Sequence, residues 1–254
     1  MDFFYSVILG IVEGITEFLP ISSTGHLILS SKLMGLEQTD FLKTFEVAIQ
    51  FGSILAIVVM YFKKLLQNRS LWGKLIVGFI PTGILGLTLY KLIKDLFSPN
   101  VVAYMLIVGG VVFLIIEKFY HQEDHHLQNV EDVSYKQAFF IGLFQSLAMI
   151  PGTSRSGSTI IGGLLLGLSR KCAAEFSFLL AIPTLFAATF YDVYKNHTLF
   201  ESAQMAYMLT GGTVAFLTSL IVIKVFMKFI SRFSYVSFGI YRILLGMIFL
   251  LWVL

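Results

Sequence analysis

The chain has 254 residues, of which 57% are hydrophobic and 13% charged, with a mean hydropathy of +0.84. Soluble domains carry about 25% charged residues, so this composition excludes an ordinary globular fold and indicates an all-α polytopic membrane protein forming one membrane domain. A net charge of +3 is too small to suggest a nucleic acid partner, and the single cysteine, Cys172, excludes an internal disulfide.

The N-terminus has no basic stretch and no A-x-A site, so no removable signal peptide is expected. Apolar segments are predicted at 3–20, 22–35, 44–62, 72–90, 100–117, 136–151, 157–169, 174–194, 205–227 and 236–254. Those at 44–62, 72–90, 100–117, 174–194 and 205–227 are long enough to cross a bilayer comfortably, and 236–254 is borderline. The other four are short and fall into two pairs. The first pair is interrupted at Leu19-Pro20-Ile21-Ser22-Ser23-Thr24-Gly25-His26, the second at Ile150-Pro151-Gly152-Thr153-Ser154-Arg155-Ser156-Gly157. Proline stops a helix and glycine frees the backbone. Helices broken at membrane depth are tolerated only where protein buries them or a polar cavity is lined.

The two interruptions resemble each other. Ile8-Leu9-Gly10-Ile11-Val12-Glu13 aligns with Phe140-Ile141-Gly142-Leu143-Phe144-Gln145, and Pro20-x-Ser22-Ser23-x-Gly25 aligns with Pro151-x-x-Ser154-x-x-Gly157, one residue out of step. The expected architecture is an inverted-topology repeat with about six transmembrane helices and two broken re-entrant helical hairpins. Residues 1–117 form the first repeat, a hairpin plus three spanning helices. Residues 118–135 are a polar loop and 136–254 the second, inverted repeat.

Glu13 and Glu17 lie four apart, on one face of the first helix. Buried acids are costly, so the pair is expected to hold a cation or exchange a substrate proton, unless that helix lies in headgroup water. Gly10 and Gly14 offer a small-xxx-small face for close helix packing. Ser22, Ser23, Thr24 and His26 place hydroxyls and an imidazole at the first break. A serine can attack phosphorus and a histidine can move the proton, although hydroxyls also patch broken membrane helices.

The stretch Pro151–Thr159 is the strongest local signal. Gly152 and Gly157 allow close backbone approach, amides at a helix start form an anion nest, and Arg155 adds a planar fork for phosphate oxygens. Ser154, Ser156 and Thr159 add donors. A structural ion pair of Arg155 with Glu13 or Glu17 is the plainer alternative, and either reading brings the two breaks together. Other candidates are weaker. His121, His125 and His126 with Glu123 and Asp124 read as a solvated loop, Glu46 and Gln50 as a second layer or polar packing, and Arg242 beside Tyr241 as an internal ion-pair partner or anchor.

Glu13-x-x-x-Glu17, Pro20-x-Ser22-Ser23-Thr24-Gly25-His26 and Pro151-Gly152-x-Ser154-Arg155-Ser156-x-x-Thr159 resemble the signatures of the undecaprenyl-diphosphate phosphatase family of the bacitracin-resistance type. The resemblance runs from the first helix to Ile240-Tyr241-Arg242. It implies hydrolysis of a C55 isoprenyl diphosphate to the monophosphate, recycling the lipid carrier for peptidoglycan and other wall polymers. It also implies dependence on a divalent cation, and bacitracin resistance by competition for the diphosphate lipid.

On that reading Glu13 and Glu17 hold Mg2+ or Ca2+, hard ions that take carboxylate and phosphate oxygens. Ser22, Gly152, Ser154, Arg155, Ser156 and Thr159 bind phosphate. Ser23 is the candidate nucleophile, with His26 as its base or as acid to the leaving group. A water activated by Glu17 or His26 is the alternative. The rival class is a secondary transporter or lipid flippase on the same repeat, and a non-catalytic scaffold leaves the buried ionisable residues unexplained.

Loops at 63–74, 118–136, 170–171 and 224–232 carry eleven Lys and Arg, against five on the other side. The positive-inside rule puts the first set in the cytoplasm and both termini outside. The expected location is the bacterial cytoplasmic (inner) membrane, with the site opening to the outer, periplasmic face.

Overall fold

The computed structural model describes residues 2–89, 92, 96, 98–121, 126–196 and 202–252. They form helices α1 (Phe3–Thr16), α2 (Ser23–Leu33), α3 (Asp40–Ala48), α4 (Gln50–Met60), α5 (Phe62–Gln67), α6 (Arg69–Thr88), α7 (Pro99–Phe119), α8 (Tyr135–Ser146), α9 (Arg155–Leu165), α10 (Arg170–Lys195), α11 (Ser202–Ile230) and α12 (Val236–Trp252). Side-chain caps start most of them. Asp2, Thr39, Asn68, Ser98 and Ser169 each accept a bond from an amide three residues on, and Ser134 with Gln137 closes a reciprocal capping box.

Five helical stretches are long and apolar enough to cross a membrane: Asp40–Met60, in which α3 runs into α4, Arg69–Thr88, Pro99–Phe119, Arg170–Lys195 and Gln204–Ile230. These are the five segments singled out from the sequence. The expected sixth, α12, has 17 residues and lies along α7. Pro81 and Pro183 sit inside α6 and α10. Helices α1, α2, α8 and α9 have 14, 11, 12 and 11 residues. At 1.5 Å per residue they reach roughly 16–21 Å, short of a hydrocarbon core of about 30 Å.

The packing pairs explain how the short helices are held. Helix α1 runs against α11, α8 against α6, and α7 against α12. Gly10 on α1 meets the Gly211 backbone and Gly142 on α8 meets the Gly78 carbonyl, so closely that a methyl at either would collide. These two glycines are the aligned positions of the two sequence copies. Outward faces are apolar, with Ile84, Leu87, Val108, Ile221 and Leu251 exposed, as a lipid solvent requires.

Basic loops collect at one end. Arg170 forks onto Glu117 (3.0 and 2.6 Å), whose Oε1 also accepts from Tyr235 N. Lys64 pairs with Glu175 at 2.7 Å and Glu131 at 3.1 Å. Burial works against the Lys64 charge, but bonds to Glu175 and Glu131 outweigh it and raise its pKa above the ordinary lysine value. At the opposite end Phe3 packs edge-on against Tyr207, with ring centroids 4.9 Å apart.

Candidate active site

Each interruption turns the chain through a serine with left-handed backbone, a conformation uncommon outside glycine. Ser22 has φ +70° and Ser154 φ +77°. Each then caps the helix that follows: Ser22 Oγ accepts from Gly25 N at 3.4 Å, and Ser154 Oγ from Gly157 N at 3.1 Å. Helices α2 and α9 therefore begin in the same way. Their N-termini present free amides and positive dipole ends, which favour an anion.

The two turns meet. Arg155 Nη2 donates to Glu17 Oε1 at 2.8 Å, and Ser23 Oγ donates to Glu17 Oε2 at 2.7 Å. Arg155 Nη1 donates to Ser177 O at 2.9 Å, which fixes the plane of the guanidinium. Behind them, Ser154 Oγ lies 3.1 Å from Ser156 Oγ, which donates to Leu19 O at 2.9 Å across to the first turn.

Above this floor is a cavity of about 1140 Å³ lined by Glu17, Ser22, Ser23, Thr24, Gly152, Ser154 and Arg155. One wall adds Gln145, whose Nε2 donates to Thr82 and whose Oε1 accepts from Thr184; all three line the cavity. The remainder is apolar and runs along Phe79–Leu87 of α6 and Leu185–Tyr194 of α10. These are the halves of both helices remote from the basic end. Ile84, Leu87, Phe190 and Tyr194 on this path are exposed, so the cavity opens sideways towards lipid. A polar floor that suits a charged headgroup thus lies below an apolar channel that suits a chain.

Several sequence-predicted residues sit elsewhere than expected. His26 does not line the cavity, and its partners are Ser22 O (2.8 Å, Nδ1) and Tyr241 OH (2.7 Å, Nε2) rather than Ser23. Geometry therefore assigns Ser23 to Glu17 and gives His26 a place behind the first turn. Ser156 and Thr159 are buried, with their hydroxyls engaged by protein; Thr159 Oγ1 lies 2.6 Å from Ser177 Oγ. They support Arg155 and the turn instead of facing the cavity.

Glu13 is fully buried one turn behind Glu17. Its Oε1 accepts from Ser53 at 3.4 Å, while Oε2 has no partner among the described residues. Gln50 lines the cavity, but Glu46 does not and instead accepts from Ser31 at 2.8 Å. Arg242 makes no ion pair among the described residues and bonds to main-chain carbonyls. In the histidine loop, residues 122–125 lie outside the described residues, and no group of three metal-ligating side chains occurs among the described ones.

Sequence reading missed Ser177 and the Thr82–Gln145–Thr184 wall. The available signal for Gln145 was its alignment with Glu13. For Ser177 it was a polar residue within a span.

The family model described as bacitracin resistance protein BacA matches residues 6–248. An undecaprenyl-diphosphatase of Persephonella marina is 62% identical over 254 residues, covering all of both chains. Another, of Campylobacter fetus subsp. fetus, is 61% identical over 258 aligned positions, again with full coverage of both. One from Wolinella succinogenes is 58% identical over 250, covering 98% of each. With similarity this high from end to end, the chain belongs to the BacA bacitracin-resistance family.

Proposed function

We propose that the protein hydrolyses undecaprenyl diphosphate to undecaprenyl phosphate and phosphate at this cavity, recycling the lipid carrier of wall synthesis. The observation that carries the reading is Glu17 held between Arg155 and Ser23 on the cavity floor, under an apolar channel. The diphosphate lies on the floor and the isoprenyl tail leaves between α6 and α10. Removing the diphosphate lipid also removes what bacitracin competes for, which accounts for resistance.

Ser23 Oγ attacks the terminal phosphorus while its proton passes to Glu17 Oε2. The bond from that phosphorus to the bridging oxygen breaks, and the lipid monophosphate departs with the oxygen. Water then attacks the phosphoserine, phosphate is released, and Ser23 recovers a proton. Arg155 and the amides opening α2 and α9 neutralise charge on the transferred group, usually the main catalytic task in phosphoryl transfer. Direct attack by a water activated by Glu17 uses the same floor. The 2.7 Å bond from Ser23 to Glu17 favours serine.

A divalent cation fits the donor set. Glu13 Oε2 is buried without a partner, and the nearby groups are carboxylate and hydroxyl oxygens, the kind that Mg2+ and Ca2+ take. Glu13 and Glu17 would hold it, and bound there it would neutralise phosphate charge.

The repeat reading rests on the matched serine turns, the aligned glycines and the reciprocal packing of α1 on α11 and α8 on α6. Each half, 1–117 and 136–254, then contributes one re-entrant hairpin, and the two enter from opposite faces. With the basic end in the cytoplasm of a bacterial inner membrane, the cavity opens towards the outer leaflet.

The test is phosphate release from C55 diphosphate by purified protein in detergent, where no second membrane side exists. Wild type should release phosphate, a chelator should suppress it, and Arg155→Ala should not turn over. Absence of release by folded wild type would leave a transport role instead.

A further inference from the structure

Arg242 is among the largest fully buried side chains in the described structure, yet it does not itself line the cavity. A buried guanidinium is costly unless its donors are satisfied. Here they are satisfied entirely by main chain. Nη1 donates to Pro20 O at 3.1 Å, and Nη2 donates to Gly152 O and Met105 O, each at 3.0 Å. Nε lies 3.4 Å from Leu106 O.

Pro20 and Gly152 lie within the two interruptions, two residues before the serines that turn the chain, and Met105 and Leu106 belong to α7, along which α12 packs. One planar group on α12 thus ties both site turns to the α7–α12 pair. The neighbouring Tyr241 continues the tie, bonding His26, which bonds Ser22 O.

We propose that Arg242 is a positioning residue for phosphoryl transfer, setting the separation of the Ser22–Ser23 and Ser154–Arg155 turns through its bonds to the Pro20 and Gly152 carbonyls. The proposal rests on the hydrolase reading. Its physical basis is the width of the fork. Guanidinium nitrogens reach two loops at fixed spacing, whereas an ammonium carries the same charge on a single point. The expected consequence is a loss in turnover rather than in affinity. The tail and floor contacts that bind substrate stay in place, while alignment of Ser23 with phosphorus does not. Misplacement by about 1 Å can cost roughly a hundredfold in rate.

Two variants test it independently. Arg242→Lys keeps the charge and removes the fork. Gly109→Ala leaves Arg242 intact but brings a Cβ to 2.7 Å from Cζ, pushing the guanidinium off its carbonyls. In detergent, on the monodisperse fraction, each should lower kcat at least about tenfold with KM within about threefold of wild type. Because both act by one route, the double variant should be no slower than the slower single.

Wild-type turnover checks the hydrolase reading separately. With wild type active, three results would overturn the proposal: wild-type kcat in either folded variant, a loss confined to KM, or losses that multiply in the double variant. If Arg242→Lys yields no folded protein, Gly109→Ala decides alone by the same kcat and KM criteria.

Discussion

Glu17 and Arg155, 138 residues apart in sequence, are joined by a 2.8 Å charge-assisted bond that closes the cavity floor. The pair is buried, with side-chain exposures of 4% and 10%, and it connects the two halves of the chain where both are broken. Glu17 is balanced by Arg155 on one oxygen and by the Ser23 hydroxyl on the other. On the proposed mechanism, an anion at the floor would compete with Glu17 for Arg155 and leave Glu17 freer to take the Ser23 proton.

Arg155→Lys should lose most activity, by about a hundredfold or more, while expression and melting temperature stay near wild type. Lysine cannot serve Glu17 and Ser177 O together with a planar fork. Phosphate release beside a thermal melt reads both quantities; a near-wild-type rate would reduce Arg155 to a counter-ion.

Ser23→Ala and Glu17→Gln should each abolish measurable turnover, and combining them should add little, because they act as one unit. Single-turnover assays with radiolabelled terminal phosphate should trap label on wild type but not on Ser23→Ala. Label trapped equally on both would assign the attack to another group.

Glu13→Gln should raise the Mg2+ concentration for half-maximal activity by about tenfold, since one of two carboxylates is lost from a hard-oxygen site. Metal titration after chelation measures this. An unchanged titration curve would remove Glu13 from the ligand set.

Gly152→Ala should destabilise the fold. Gly152 has φ +91°, and a Cβ there would sit 2.5 Å from Val102 O and 2.8 Å from Val102 Cα. Left-handed backbone alone costs an L-residue about 1–2 kcal/mol, and the clash is with main chain that cannot rotate away. A melting temperature within a degree of wild type would contradict this.

In intact cells, an impermeant thiol reagent should label Glu37→Cys but not Ser70→Cys, in a Cys172→Ser background. Both positions are exposed and lie on opposite ends, while Cys172 is buried. The reverse pattern would invert the topology and turn the cavity to the cytoplasm.

Hydropathy and local chemistry alone determined the class of this protein, its five long spans and its two interruptions. A bilayer demands runs of apolar residues of fixed length, and Pro20 and Pro151, each set among Ser and Gly, mark where helices stop. Glu17, Ser23 and Arg155 were legible as costly or reactive groups in an apolar setting. Which groups touch was decided only by tertiary packing. Ser23 bonds Glu17 and not His26, although His26 is nearer in sequence, because the turn at Ser22 swings α2 so that His26 meets Tyr241, 215 residues away. Ser156 and Thr159 read like phosphate donors, yet α9 is buried among its neighbours and their hydroxyls are spent on Leu19 O and Ser177. Arg242 read like an ion-pair partner. Carbonyls at the two breaks, together with two on α7, satisfy it instead, and no local pattern records which distant carbonyls a side chain will meet.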